Sequence, residues 1–261
     1  MIVTTSLDET GQLVEKATQY AKDLSIPYVK RNKQTIKTLQ SKVDEEVLIV
    51  NDKRGLSYYG KEGKEVFFHP NMAIHRIHQL KQQQPDGLIT ACQLEEGMSF
   101  LDMTLGLGSD TLVAMSVVKA SGKVVSVEKS FALALLVKEG LKRYAELENQ
   151  DIQAMIHRLN IVNDDNLNYL KTLPDNSFDV VYFDFMFLNT IESSSGISVI
   201  KSLVSYDQLT KEHVEEAKRV AKKRIVVKSS YKNEALTQLG FEILRQNQKR
   251  QFLFATMNLE K

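Results

Sequence analysis

Three stretches in the second half of the chain combine residue types that chemistry can use. In FLDMTLGLGSD (100–110), an apolar run leads into Gly106 and Gly108 and then into a helical pattern. Glycines there can take backbone conformations closed to other residues, and a helix opening near Asp110 aims free amides at whatever the loop approaches. Asp102 and Asp110 flank the turn. The next apolar run, KVVSVEKS, ends in Glu128, and a third ends in Asn163-Asp164-Asp165-Asn166. A fourth, FDVVYFDFMF, ends in Asp184-Phe185-Met186-Phe187.

The chemistry these residues suit is the binding of a positively charged nucleoside. A dinucleotide loop would carry G-x-G-x-x-G, and the third glycine is missing here, with Val113 or Ala114 in its region. Acids beside the loop instead match the cationic methionine tail of S-adenosylmethionine (SAM). Glu128 can accept both ribose hydroxyls, as the acid after the second strand does in related folds, and the Asn163–Asn166 side chains can meet an adenine amine. An acid followed by aromatics at the fourth strand's end suggests methylation of a base. The Asp184 carboxylate would orient an exocyclic amine toward the methyl group while an aromatic ring, Phe185 or Phe187, stacks on the base. The competing reading makes Phe185 and Phe187 core residues.

Such residues must be held at the ends of strands, and the pattern supplies the strands. From Met98 onward, apolar runs alternate with amphipathic segments, which predicts a parallel sheet covered by helices on both faces. GFEILRQN and QFLFATMN, separated by a few polar residues, break the alternation and predict a closing antiparallel pair. The fold expected is α/β: a Rossmann-like class I methyltransferase, mostly parallel and ending in an antiparallel hairpin. Residues 71–261 form this domain. Residues 1–70 form a small N-terminal α+β module with a helix near 7–23 and an antiparallel meander over 46–68, punctuated by Asp52-Lys53-Arg54-Gly55 and Gly60-Lys61-Glu62-Gly63.

The bulk composition excludes several classes. The 261 residues are 43% hydrophobic with a formal net charge of +1, so no global field favours a polyanion. No apolar run approaches the roughly 18 residues of a membrane span, and the N-terminus lacks a secretory pattern; membrane partners are not expected. The single cysteine, Cys92, suits a reducing cytoplasm, which is the expected location. Residues 28–42 and 218–232 are basic clusters without acids, readable as RNA phosphate contacts or as solvated helix faces. His69, His75 and His78 have no further ligands nearby, so no metal is expected.

The chain resembles the ribosomal RNA small-subunit methyltransferase J family, which methylates the exocyclic amine of a guanine. The resemblance rests on Ala73-Ile74-His75-Arg76, on D-x-T-x-G-x-G-x-D from Asp102 to Asp110, on Val127-Glu128-Lys129, on Val181 to Phe187, and on Ser202-Leu203-Val204 followed by Lys223 to Lys228. It implies SAM contacts at Ser109, Asp110, Glu128, Lys129, Asp165, Asn166 and Asp184, added to Asp102, Gly106 and Gly108 from the loop. The strand-end reading makes Asp184 and Phe187 the catalytic candidates, with Phe185 and Lys228 as further substrate contacts; the resemblance implies that His75 and Arg76 line the substrate entrance, with ribosomal RNA as partner. Two departures stand out. Phe185 replaces the proline that follows the family's aspartate, and Lys228-Ser229-Ser230 replaces Lys-Arg-Pro. Methylation of a small molecule or protein, and a non-catalytic SAM- or RNA-binding role, are the alternatives.

Overall fold

The computed structural model describes residues 1–61, 64–146, 153, 155, 158–185, 208–230, 235–244 and 252–259. The chain divides into two compact units. The first comprises Met1–His69 and, from Leu135, the body of a helix that starts in the second; the second holds the other described residues from Pro70.

In the first unit, the predicted meander forms as β2 (Val47–Asn51), β3 (Gly55–Tyr59) and β4 (Glu65–Phe67), paired antiparallel in that order. The turn closing β2 onto β3 uses Gly55 at φ +76°, a conformation that favours glycine. Two elements escaped the sequence reading. β1 (Ile2–Thr5) adds in parallel to β2, and α2 (Ile36–Val43) is capped by the Thr35 hydroxyl within the first basic cluster. A four-residue strand paired with residues some 45 positions away leaves no local signal. α1 (Gly11–Asp23) begins where the Thr10 hydroxyl accepts from the Leu13 amide, and it buries Leu13, Ala17 and Ala21, one turn apart. Ile2, Leu39, Val47 and Ile49 form a small core beneath α2.

The second unit is built on a seven-stranded sheet, β10-β11-β9-β8-β5-β6-β7. Its parallel strands are β5 (Ser99–Asp102), β6 (Lys123–Glu128), β7 (Leu159–Asn163), β8 (Phe178–Phe183) and β9 (Ala221–Ser230). The antiparallel finish is β10 (Glu242–Ile243) and β11 (Phe252–Asn258), with β11 also antiparallel to β9. The expected fold class is thus observed. α3 (Asn71–Lys81), α4 (Gly87–Cys92) and α5 (Ser109–Val118) cover one face, and α7 (Asn166–Thr172) and α8 (Lys211–Val220) the other; α6 (Phe131–Glu146) and α9 (Ala235–Gln238) complete the described helices.

Strand alternation sorts the side chains between these faces. Leu101, Val125, Val127, Val181, Phe183, Ile225 and Val227 join Val214, Ala217 and Val220 of α8 in one core. Their neighbours one position along, Phe100 and Tyr182 among them, face α4 and α5, where these two rings stack at 5.7 Å. The chemistry-bearing residues Asp102, Ser126, Glu128, Tyr182 and Lys228 share this parity.

One helix glycine is explained by close approach. A Cβ on Gly140 of α6 would lie 2.4 Å from Phe68 Cδ1 and 2.5 Å from Phe68 Cβ. Gly140→Ala should therefore lower stability by about 1–2 kcal/mol, the overpacking cost exceeding the ~1 kcal/mol gain in helix propensity. Thermal unfolding checks this: an unchanged or raised Tm would mean that Phe68 yields freely.

Candidate functional site

The glycine loop joins β5 to α5 with Gly106 at φ +55° and Gly108 at φ +75° as the helix N-cap. A Cβ on Gly106 would meet nothing nearer than the Thr104 carbonyl at 3.9 Å, so conformation, and not crowding, selects glycine there. Loop geometry is set by side chains beneath it. Asp102, only 1% exposed, accepts from the Thr104 amide at 3.0 Å and from the Thr111 hydroxyl at 2.6 Å, and Thr111 in turn meets Ser126 Oγ at 2.8 Å. Burial raises the Asp102 pKa to about 7 even though the Thr111 and Thr104 hydrogen bonds oppose it. The carboxylate expected to face a methionine tail instead holds the loop from below.

Asp110, in the first turn of α5, is likewise engaged. Arg76 Nη1 donates to one oxygen, and Tyr182 OH at 2.7 Å and Lys228 Nζ at 3.2 Å reach the other. Burial alone would raise its pKa, but Lys228 and Arg76 together hold it below the ordinary carboxylate range. Arg76 also grips Asp86, the N-cap of α4, through Nε at 2.7 Å and Nη2 at 2.9 Å. Its guanidinium is thus occupied on both sides by protein carboxylates, so it ties α3 to α4 and α5 and is not the free substrate cation expected. His75, one position earlier, is exposed on α3 and outside this cluster.

Asp184 lies just past the end of β8, with its carboxylate 33% exposed and 2.6 Å from Lys228 Nζ. Burial raises its pKa, and the Lys228 ammonium counters only part of that rise. Its amide donates to Thr104 Oγ1 at 2.6 Å. Lys228 also lies 5.1 Å from the Phe252 ring centroid.

Phe185 goes the other way. It is 4% exposed, stacked on Phe183 at 5.5 Å and edge-on to His213 at 5.7 Å. Alternation sends Asp184 and Phe185 to opposite faces, and so the residue replacing the family proline packs in the core instead of meeting a base. Phe187 lies outside the described residues.

Along the neighbouring strand ends, Glu128 accepts from the Gly106 amide at 2.9 Å and the Ser130 amide at 2.8 Å. Burial raises its pKa to about 6 against those amides. The Lys129 amide is a third donor to this carboxylate, so of about four acceptor positions about one remains for a ribose hydroxyl. Lys129 pairs at 3.0 Å with Asp165, whose other oxygen caps α7. Asn166 is buried with Oδ1 2.9 Å from His213 Nε2, and it ties α7 to α8. The second basic cluster is dispersed: Arg219 pairs with Asp175 and Glu216, and Arg224 donates to the Ala91 carbonyl.

The set that faces the loop is therefore Gly106, Gly108, Ser109, Glu128 and Asp184, with Asp102, Asp110, Arg76 and Lys228 behind it. Its donors and acceptors fit SAM: a glycine turn and helix N-terminus for the amino-acid end, and a carboxylate with acceptor capacity left for the ribose. Thr111, Ser126 and Asp86 were not picked out from sequence. Only Asp86 had a local signal, as an N-cap residue after Pro85.

Comparison with known proteins agrees. The family model for SAM-dependent methyltransferases matches residues 29–254. The uncharacterized protein YpiP of Bacillus subtilis is 38% identical over 244 residues, 94% of each chain. Ribosomal RNA small subunit methyltransferase J of Hydrogenovibrio crunogenus is 31% identical over 154 residues, 58% of this chain and 54% of that one. The crystal structure of a SAM-dependent methyltransferase from Neisseria gonorrhoeae shares the fold with a TM-score of 0.61 at 19% identity, covering 99% of this chain and 96% of that one. With the loop, the acid after the second strand and the sheet order all in place, the chain belongs to the SAM-dependent methyltransferase family, as a relative of the ribosomal RNA small-subunit methyltransferases J that takes SAM as its methyl donor.

Proposed function

We propose that the chain methylates the exocyclic amine of a guanine in small-subunit ribosomal RNA. The observation that carries this reading is the Asp184 carboxylate, which is part-exposed at the carboxyl end of β8 beside the glycine loop. The J relatives, ribosomal RNA methyltransferases by name, supply the substrate class.

SAM supplies, when bound, a methyl group made electrophilic by its sulfonium sulfur. The chain's part is to hold and orient. Gly106, Gly108 and the first turn of α5 receive the methionine end, and Glu128 accepts from the ribose hydroxyls. Asp184 accepts from the target amine and aligns its lone pair with the methyl group. The amine carries a surplus proton after transfer, and Asp184, with its pKa raised by burial, is a base placed to take it. Lys228, 2.6 Å from the carboxylate, opposes that rise. Phe187 is the stacking aromatic in this reading, because Phe185 is committed to the core. His75 contacts the RNA from its exposed position on α3.

Asp184→Asn keeps shape and one acceptor but loses charge and basicity. Turnover is expected to fall about 10²-fold, with little change in Tm. The assay is transfer of radiolabelled methyl from SAM to RNA of a strain lacking the gene, followed by mass spectrometry of the modified base. Parental turnover in the variant would sink the catalytic assignment, and label confined to protein or small molecules would sink the RNA substrate.

Glu128 sets a pH dependence. Its ionised form is the diol acceptor, so SAM affinity should be full above its pKa of about 6 and weaken as pH falls below it. Glu128→Ala should weaken SAM by about 1–3 kcal/mol at pH 7.5 and abolish this dependence. Calorimetry from pH 5 to 8 is the check, and an affinity flat in pH for the parent would contradict the role.

A further inference from the structure

The β5–β8 ladder ends in an unusual way. Its last rungs are Leu101 beside Val181 and Asp102 beside Tyr182, after which the Met103 amide donates to the Tyr182 carbonyl at 2.9 Å. The amide of Asp184, just past the end of β8, donates to the Thr104 hydroxyl at 2.6 Å. The same threonine is fixed from below. Its amide donates to Asp102 Oδ1 at 3.0 Å, and its hydroxyl lies 3.4 Å from that oxygen. Asp102 is anchored through Thr111 to Ser126 on β6. A continuous chain of side-chain hydrogen bonds thus runs from β6, under α5 and the glycine loop, to the backbone of Asp184. One residue later the Leu105 amide is held by the Val127 carbonyl at 2.9 Å, and the Gly106 amide by Glu128. The loop is clamped to β6 on one side and, through Thr104 alone among the described residues' side chains, to the Asp184 amide on the other.

We infer that Thr104 is a positioning residue: its hydroxyl fixes the Asp184 backbone against the SAM loop, and so sets the distance between methyl donor and target amine. The inference rests on the catalytic reading of Asp184. The physical reasons are direct. Asp184 is the first residue past the strand, where ladder bonds no longer hold the chain, and its successor Phe185 lacks the torsional restraint that a proline would give. Displacements of about 1 Å in reacting atoms cost on the order of 10²-fold in rate. Phe185 anchors the following residue in the core, the Lys228 ion pair holds the carboxylate, and the Thr104 hydroxyl holds the backbone between them. A role confined to SAM binding would need Thr104 to serve the loop only, whereas the shorter of its two hydroxyl contacts is to Asp184.

The test compares Thr104→Val, which keeps the branched shape without the hydroxyl, with Thr104→Ser, which keeps the hydroxyl. SAM affinity by calorimetry and turnover on RNA of the deletion strain are read for both, alongside Asp184→Asn. Thr104→Val is expected to lose about 10-fold or more in kcat while SAM affinity stays within about 3-fold, and Thr104→Ser to remain within about 3-fold of the parent in both. In the Asp184→Asn background, Thr104→Val should add no more than about 2-fold, since both changes act on one geometry. Parental kcat in Thr104→Val overturns the inference, as does a SAM affinity that falls as far as kcat, or a Thr104→Ser as slow as Thr104→Val. Should the valine variant not fold, Thr104→Ala is read by the same criteria. Parental kcat in Asp184→Asn would instead remove the catalytic reading itself, whatever the threonine variants do.

Discussion

Carboxylates crowded at one sheet edge are the constraint on which this site depends. Asp102, Asp110 and Asp184 lie at or next to the ends of adjacent elements in a region of low solvent access, where like charges repel strongly and ionisation is costly. Each is handled differently. Asp110 receives two cations and stays ionised; Asp102 receives only hydroxyl and amide donors, and its pKa climbs to about 7; Asp184 shares Lys228 with Asp110 and keeps a solvent-facing side. Removing one cation would leave an uncompensated buried charge, a larger cost than the pair's net worth. The positions of Arg76, Asp86, Tyr182 and Lys228 follow from that requirement.

The second organising fact is the period of two along the strands. It places Asp102, Ser126, Glu128, Tyr182 and Lys228 on the α5 side, and the apolar residues between them against α8. A one-residue slip in β5 or β6 would turn Asp102 or Glu128 toward the α8 core and Leu101 or Val127 toward the loop. Register is therefore specified by chemistry and packing together, and the active edge and the hydrophobic core are two sides of one pattern.

Much of this was legible in the sequence because the signals are local. The alternation of apolar runs predicted the parallel sheet, the terminal hairpin followed from its short spacer, and Gly106-x-Gly108 between strand and helix located the loop. What was illegible depends on distant partners. Asp102 and Asp110 looked like ligands for a cation; Asp102 instead meets hydroxyl and amide donors, and the cations that Asp110 meets include Lys228, 118 positions beyond it. Arg76 read as a substrate contact because nothing nearby shows that Asp86 and Asp110 converge on it. Phe185 could have been placed by counting on from Phe183, since the strand period continues past the last ladder residue. β1 needed β2, and α2 was hidden in a run of lysines whose capping signal was the single Thr35.

Glu128 differs from the three aspartates, and the difference bears on how the site discriminates. Its oxygens are held by backbone amides, and burial lifts its pKa to about 6 against them. An acid in that state favours partners that donate hydrogen bonds to its charged form, because each donor offsets the desolvation that penalises the charge. A ribose diol provides two such donors; a 2′-phosphorylated ribose provides none there and adds repulsion. The same logic disfavours dinucleotides at the loop, where the ion-paired Asp110 in the first turn of α5 leaves less of the helix N-terminus for a pyrophosphate. The acids of this edge thus divide: Glu128 is held by backbone amides, whereas Asp102 is engaged by hydroxyl and amide donors and Asp110 by Arg76, Tyr182 and Lys228 of the protein itself.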